Sequence, residues 1–247
     1  MSIETQQDLD GMKRAGRIVR LCIERMKRAV RAGVTTAELD RIGGMALREH
    51  GARSAPRLVY GFPADMLISV NDEAVHGIPG PRRLRDGDLV KLDVTVEKDG
   101  YMADSAVTVP VGRVTEERRR LVAAARAAFE RAMEVAVAGN RVRDIGRAVE
   151  GEVTSRGFSV VRDLAGHGIG RTIHEPPSVP NHYDGRLTQP LTEGLVLAVE
   201  PIVAERSGRT VEDADGWTVR TADGGFAAHY EHTIVITRGR PLLLTAA

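Results

Sequence analysis

Two helix pairs, repeated at one fixed separation, constrain this 247-residue chain more than any other feature. Apolar residues recur with helical spacing from Gln6 to Ala32, Thr36 to His50, Glu116 to Val137 and Val142 to Arg156. Ala32-Gly33 and Gly51 stop the first pair, and Ala138-Gly139 and Gly157 stop the second, displaced by 106 positions. The same shift sets Arg25 on Arg131, Leu39 on Ile145 and Leu47 on Val153, so apolar faces and stops coincide. Each pair precedes strand-rich sequence, Ser54 to Val111 and Phe158 to Leu244. The expectation is an α+β fold in one domain, with two similar halves (about 1–112 and 113–247) around a shared sheet. Under the shift, Asp93 in LVKLDVTV falls one residue from Glu200 in LVLAVEPIV. Each half then supplies a carboxylate from an equivalent strand, and a site is expected at the pseudo-twofold interface.

Composition excludes several classes of function. Hydrophobic content of 42% and a net charge of +1 fit a globular chain with a sizeable core. Met1 to Arg20 carries charges throughout and has no apolar signal-like run, so a cytoplasmic protein is expected. The single cysteine, Cys22, has no partner for a disulfide and falls in an amphipathic helix, which predicts a buried, inert thiol. A pI near 8.0 is too mild for a dedicated nucleic-acid binder, although Arg82, Arg83 and Arg85 cluster in a proline-rich turn.

The acidic residues carry the chemistry. Leu89 to Val96 and Tyr101 to Val109 read as a hairpin closed at Glu97-Lys98-Asp99-Gly100. A two-residue loop brings Asp93 and Asp104 onto one sheet face, opposite or diagonal; a three-residue loop separates them unless a bulge restores the register. Val90, Leu92, Val94 and Val96 form one face of the first strand, and Lys91, Asp93 and Thr95 the other. Taken singly, each aspartate also reads as a surface strand residue. Glu200 ends an apolar strand from Gly194 to Val203, and Glu231 precedes another, so each charge requires a partner. In Gly166-His167-Gly168-Ile169-Gly170 three glycines let backbone approach and leave the imidazole open; His174 follows seven residues later, and His76 is presented from a turn in the same manner. His50, His182, His229 and His232 have no ligand spacing and read as structural. Four carboxylates and an imidazole suit a pair of divalent cations that polarise a carbonyl and activate water.

At these residues the chain resembles the type I methionine aminopeptidases, of the pita-bread metallopeptidases, in their short bacterial form. The motifs are Ser69-Val70-Asn71 with His76-Gly77-Ile78-Pro79, Lys91-Leu92-Asp93-Val94, Gly166-His167-Gly168-Ile169-Gly170, Val199-Glu200-Pro201 and Tyr230-Glu231-His232-Thr233, in order over nearly the whole chain. The resemblance implies a duplicated fold with helices covering a curved antiparallel sheet. It implies that Asp93, Asp104, His167, Glu200 and Glu231 bind two divalent cations (Co, Mn, Fe or Zn), with Asp104 and Glu231 bridging. His76 and His174 correspond to substrate-contacting histidines, and Glu200 to a proton relay. The implied reaction is hydrolytic removal of an initiator methionine, favoured by a small second residue, through a hydroxide held between the cations. Val59, Phe62, Leu67, Ile173 and Trp217 would line the methionine pocket, where relatives often carry Tyr, Cys and Phe at the positions of Val59, Leu67 and Ile173. Leu164 stands where a bulkier residue is frequent. Nascent polypeptide N-termini are the implied partners, with transient ribosome association through the arginine cluster and no membrane or specific DNA contact; a monomer is expected. The rivals are an X-Pro aminopeptidase or prolidase on the same fold, and a non-catalytic pita-bread binding protein.

Overall fold

The computed structural model describes residues 1–246. Helices α1 (Gln6–Ala29) and α2 (Thr36–Glu49) come first, then β1 (Arg53–Ser54), a short helix α3 (Ala55–Tyr60), β2 (Leu67–Val70), β3 (Glu73–Val75) and the hairpin β4 (Leu89–Lys98) and β5 (Tyr101–Pro110). Helices α4 (Glu116–Val135) and α5 (Val142–Ser155) follow, then β6 (Ser159–Val160), β7 (Ala165–Gly168), β8 (Glu175–Pro180), β9 (Val196–Val199) and β10 (Ile202–Ala204). The chain continues through β11 (Thr210–Glu212), β12 (Val219–Thr221), β13 (Ala227–His229), β14 (His232–Val235) and β15 (Leu242–Leu243). No helix among the described residues is long and apolar enough to cross a membrane.

Local chemistry sets the helix ends. Thr5 and Asp8 exchange side-chain and backbone hydrogen bonds in a capping box at α1, and Thr35 and Glu38 do the same at α2. At α5 the Asp144 carboxylate accepts from the Arg141 N–H. Helices α2 and α5 each span 14 residues, with bounds 106 positions apart. Met12, Ala15, Val19, Cys22 and Met26 form the inward stripe of α1, which packs on β4 and β5. Burial pushes the Cys22 thiol up to about 12, so it is unreactive. Leu121, Ala124, Ala128 and Ala132 do the same for α4 against β10, β13 and β5, their small side chains allowing close approach. The segment after Ser54, which reads as strand, opens instead with α3. Ser54 caps it, Pro56 sits in its first turn and Gly61 (φ 73°) ends it, a combination that outweighs the strand propensity around it.

The hairpin closes through Asp99-Gly100, whose φ values of 53° and 79° are those of a tight primed turn. Lys98 pairs with Tyr101, so Asp93 faces Ala106 and Thr95 faces Asp104. Asp93 and Asp104 are therefore diagonal neighbours on one face. Strands β1 and β2 take the other edge of β4; the remaining ladders run β15-β14-β9-β7-β8, β13-β10-β6 and β11-β12-β3, and the pairings are antiparallel.

The strand expected over Gly194–Val203 is divided. Glu200-Pro201 separates β9 from β10, and Tyr230-Glu231 separates β13 from β14. Pro201 has no N–H to offer the ladder. Val199 pairs with His232 and Ile202 with His229 in one continuous register, so Glu200 stands opposite Glu231 across the break. Hydroxyls then join β5 to β13 and β14. Thr233 Oγ1 accepts from the Asp104 N–H and donates to the Asp104 carbonyl, each at 2.8 Å. Thr108 Oγ1 bonds both backbone groups of His229, and Ser105 Oγ donates to the Glu231 carbonyl. This clasp brings the Asp104 carboxylate beside those from the later strands.

Candidate metal centre and pocket

Asp93, Asp104, His167, Glu200 and Glu231 line one cavity of about 220 Å³, together with His76 and His174. Ligand atoms of Asp104, His167 and Glu231 lie within 4.8 Å of one another. Thr95 Oγ1 donates to Asp104 Oδ2 at 2.8 Å, whereas Asp104 Oδ1 and Glu231 Oε1 are buried with no hydrogen-bond partner. Burial first, then the neighbouring carboxylates, drives Asp93, Glu200 and Glu231 well above the usual carboxylate range; Asp104 is raised by burial against the lowering bond from Thr95. Among the described residues, no Lys or Arg lines the cavity to offset this charge. Orphaned buried oxygens, repelling carboxylates and one imidazole fit a divalent cation site. Lys91, on the same strand face as Asp93, is buried rather than solvated; its ammonium donates to the Asn71 carbonyl at 2.7 Å, and burial pushes it down to about 7.

His167 is set by the chain around it. Its Nδ1–H donates to the Gly168 carbonyl at 3.0 Å, which keeps the ring proton on Nδ1 and leaves the Nε2 lone pair facing the carboxylates, 3.5 Å from Glu200 Oε1. A side chain at Gly166 would meet the Ala198 carbonyl at 2.4 Å and one at Gly168 the Pro176 carbonyl at 2.4 Å, so both glycines are required by close strand approach. The His167 side chain they flank is 9% exposed, buried rather than left open. The Glu175 carboxylate accepts from the N–H groups of Arg171 and Thr172, fixing the turn that carries His174. The rings of His167 and His174 meet edge to face with centroids 4.3 Å apart. His174 is lowered to about 4 by desolvation against the pocket wall and then by His167, and His76 to about 4 by burial and then by His174. Both are neutral at physiological pH. His76 has a left-handed backbone (φ 59°), unusual outside glycine and here at the cavity wall.

Phe62, Leu67, Ile173 and Trp217 line the apolar end of the cavity, with Phe62 and Trp217 edge to face at 5.1 Å. Val59 does not: it is 43% exposed, and Tyr60 lines the cavity in its place. Helical α3 accounts for the shift, since consecutive helical residues point about 100° apart. The Tyr60 hydroxyl lies 2.5 Å from His174 Nδ1. Thr95, Tyr60 and His229 are contacts that pattern reading did not single out. Thr95 was legible from its alternation with Asp93; nothing in the spacing of the other two marks them.

The chain belongs to metallopeptidase family M24, whose model matches residues 10–238. It is similar over 99% of its length to methionine aminopeptidase 2 of Bacillus subtilis, at 43% identity and covering 99% of that protein. A crystal structure of methionine aminopeptidase from Thermotoga maritima superimposes with a TM-score of 0.97 at 34% identity, each chain covered completely. The prolidase of Pyrococcus furiosus shares the fold alone, with a TM-score of 0.80, 21% identity and 65% of that chain covered. The pita-bread architecture is common to these structures, and the buried acidic centre is consistent with the metal dependence that the family name states.

Proposed function

We propose that this chain hydrolyses the first peptide bond of nascent proteins to release the initiator methionine, preferring a small second residue. The observation that carries the reading is a cavity with an apolar end of Phe62, Leu67, Ile173, Tyr60 and Trp217 beside buried Asp93, Asp104, His167, Glu200 and Glu231. Full-length similarity to a methionine aminopeptidase, against partial coverage of the prolidase, favours this over X-Pro cleavage. Intact acidic residues and both histidines favour it over a non-catalytic role.

Two divalent cations, of Mn, Fe, Co or Zn, would be held by those five residues and would supply Lewis acidity toward the scissile carbonyl and a lowered pKa for water. The apolar wall takes the methionine side chain. With Nδ1 facing the Tyr60 hydroxyl, neutral His174 offers its Nε2–H to the carbonyl oxygen as negative charge develops there. His76 lines the same wall and assists the departing nitrogen, and Glu200 carries the proton between water and leaving group. The test is methionine release from Met-Ala-Ser and Met-Lys-Ser by metal-stripped protein with each cation restored. Cation-dependent cleavage of the first and little of the second supports the reading; equal cleavage, or none with any cation, contradicts it.

Arg82, Arg83 and Arg85 would also support transient association with the ribosome. Arg82 pairs with Glu73 at 2.8 Å and Arg83 donates to the Gly33 carbonyl, yet both remain exposed. Replacing all three with Ala should weaken ribosome cosedimentation and leave tripeptide cleavage intact; unchanged association would remove this role.

A further inference from the structure

His229 ends β13, and no step above uses it. The ring is 2% exposed, and neither ring nitrogen has a hydrogen-bond partner. Its Nε2 lies 3.6 Å from Glu200 Oε2 and 3.6 Å from Glu231 Oε2, just beyond bonding distance of each. The backbone is held independently of the ring. His229 pairs with Ile202, and its N–H and carbonyl both bond Thr108 Oγ1, so the ladder aims the imidazole between two carboxylates that stand opposite each other. A buried imidazole without a partner is costly unless it gains one in the working state. Once Glu200 and Glu231 are anions around bound cations, an Nε2 lone pair facing them would be repelled, whereas an Nε2–H would have an acceptor on either side.

We propose that His229 is a positioning residue of the cation centre: its Nε2–H is shared between Glu200 Oε2 and Glu231 Oε2 in the loaded site and fixes which oxygen of each carboxylate turns toward the cations. This rests on the metal-dependent reading above. Donors to ligating groups typically contribute about 10- to 100-fold in metal affinity.

The experiment is calorimetric titration of Mn²⁺ into the metal-stripped wild type, His229→Leu and His229→Gln, with a thermal melt of each metal-free protein to establish folding. His229→Leu should bind about 10- to 100-fold more weakly, and His229→Gln, which keeps an N–H donor, should recover most of that loss. Wild-type affinity in His229→Leu overturns the proposal, as does His229→Gln binding no better than His229→Leu. Should the leucine variant fail to fold, nitrogen-15 histidine spectra of the Zn²⁺-loaded wild type decide. A neutral His229 protonated at Nε2 is expected; protonation at Nδ1, or the shift of a metal-bound nitrogen, overturns it. A wild type that binds no cation rejects the metal-dependent reading itself, an outcome distinct from tight binding that ignores residue 229.

Discussion

Asp104 shows what the site costs at the level of single residues. Its carboxylate is raised by burial, one oxygen is bonded by Thr95 and the other has no partner. Asp104→Asn should therefore do two opposite things. Cation binding should be lost, while the metal-free protein at neutral pH should melt higher, by roughly 2–4 °C for each 1 kcal/mol of relieved repulsion. A lower melting temperature for the metal-free variant would contradict the charge argument. Tyr60 makes a second case. Tyr60→Phe removes the hydroxyl 2.5 Å from His174 Nδ1. A hydrogen bond contributes about 0.5–1.5 kcal/mol, so kcat should fall roughly 2- to 13-fold with KM little changed. Unaltered kcat would mean that Tyr60 does not orient His174. Tyr60 also marks where residue-level reading fell short. The motif register of the resemblance put Val59 on the pocket wall, whereas in helix α3 it is the neighbouring Tyr60 that lines it.

At the scale of elements, the hairpin and the clasp decide whether the carboxylates meet. The diagonal placement of Asp93 and Asp104 was legible once Asp-Gly was read as a two-residue turn, because strand alternation leaves no freedom after the loop is fixed. The break in the ladder at Glu200-Pro201 was missed in a strand read unbroken from Gly194 to Val203, although Pro201 marks it, and the continuous register across it, which sets Glu200 against Glu231, depends on pairing with a segment 31 residues away in sequence that local pattern does not encode. The hydroxyl clasp is of the same kind, linking Thr233 to Asp104 over a sequence separation of 129. Thr233→Val keeps the shape and leaves the buried N–H and carbonyl of Asp104 unpaired. It should cost about 1–3 kcal/mol in chemical denaturation and weaken cation binding in parallel. Lost stability with unchanged cation affinity would separate the clasp from the site.

For the whole molecule, helix α5 repeats the length of α2 at a displacement of 106 positions, and carboxylates from the strands after each, Asp93 and Asp104 with Glu200 and Glu231, meet in one cavity. That arrangement ties stability to pH. Carboxylates whose folded pKa lies above the unfolded value of about 4 stabilise the fold fully only below that value, and the contribution is lost as pH rises through the raised folded pKa. Cations bind the ionised form and reverse the loss. The rise in melting temperature on adding saturating Mn²⁺ should be larger at about pH 7.5 than at about pH 5.5; equal increments would contradict it. The most direct measurement follows bound Mn²⁺ and methionine released from Met-Ala-Ser together as metal-stripped protein is reloaded, beside Glu231→Gln. Release should rise with occupancy in the wild type and stay absent in a folded Glu231→Gln. Release by the metal-stripped wild type, or undiminished release by the variant, would contradict a cation-dependent peptidase centred on these carboxylates.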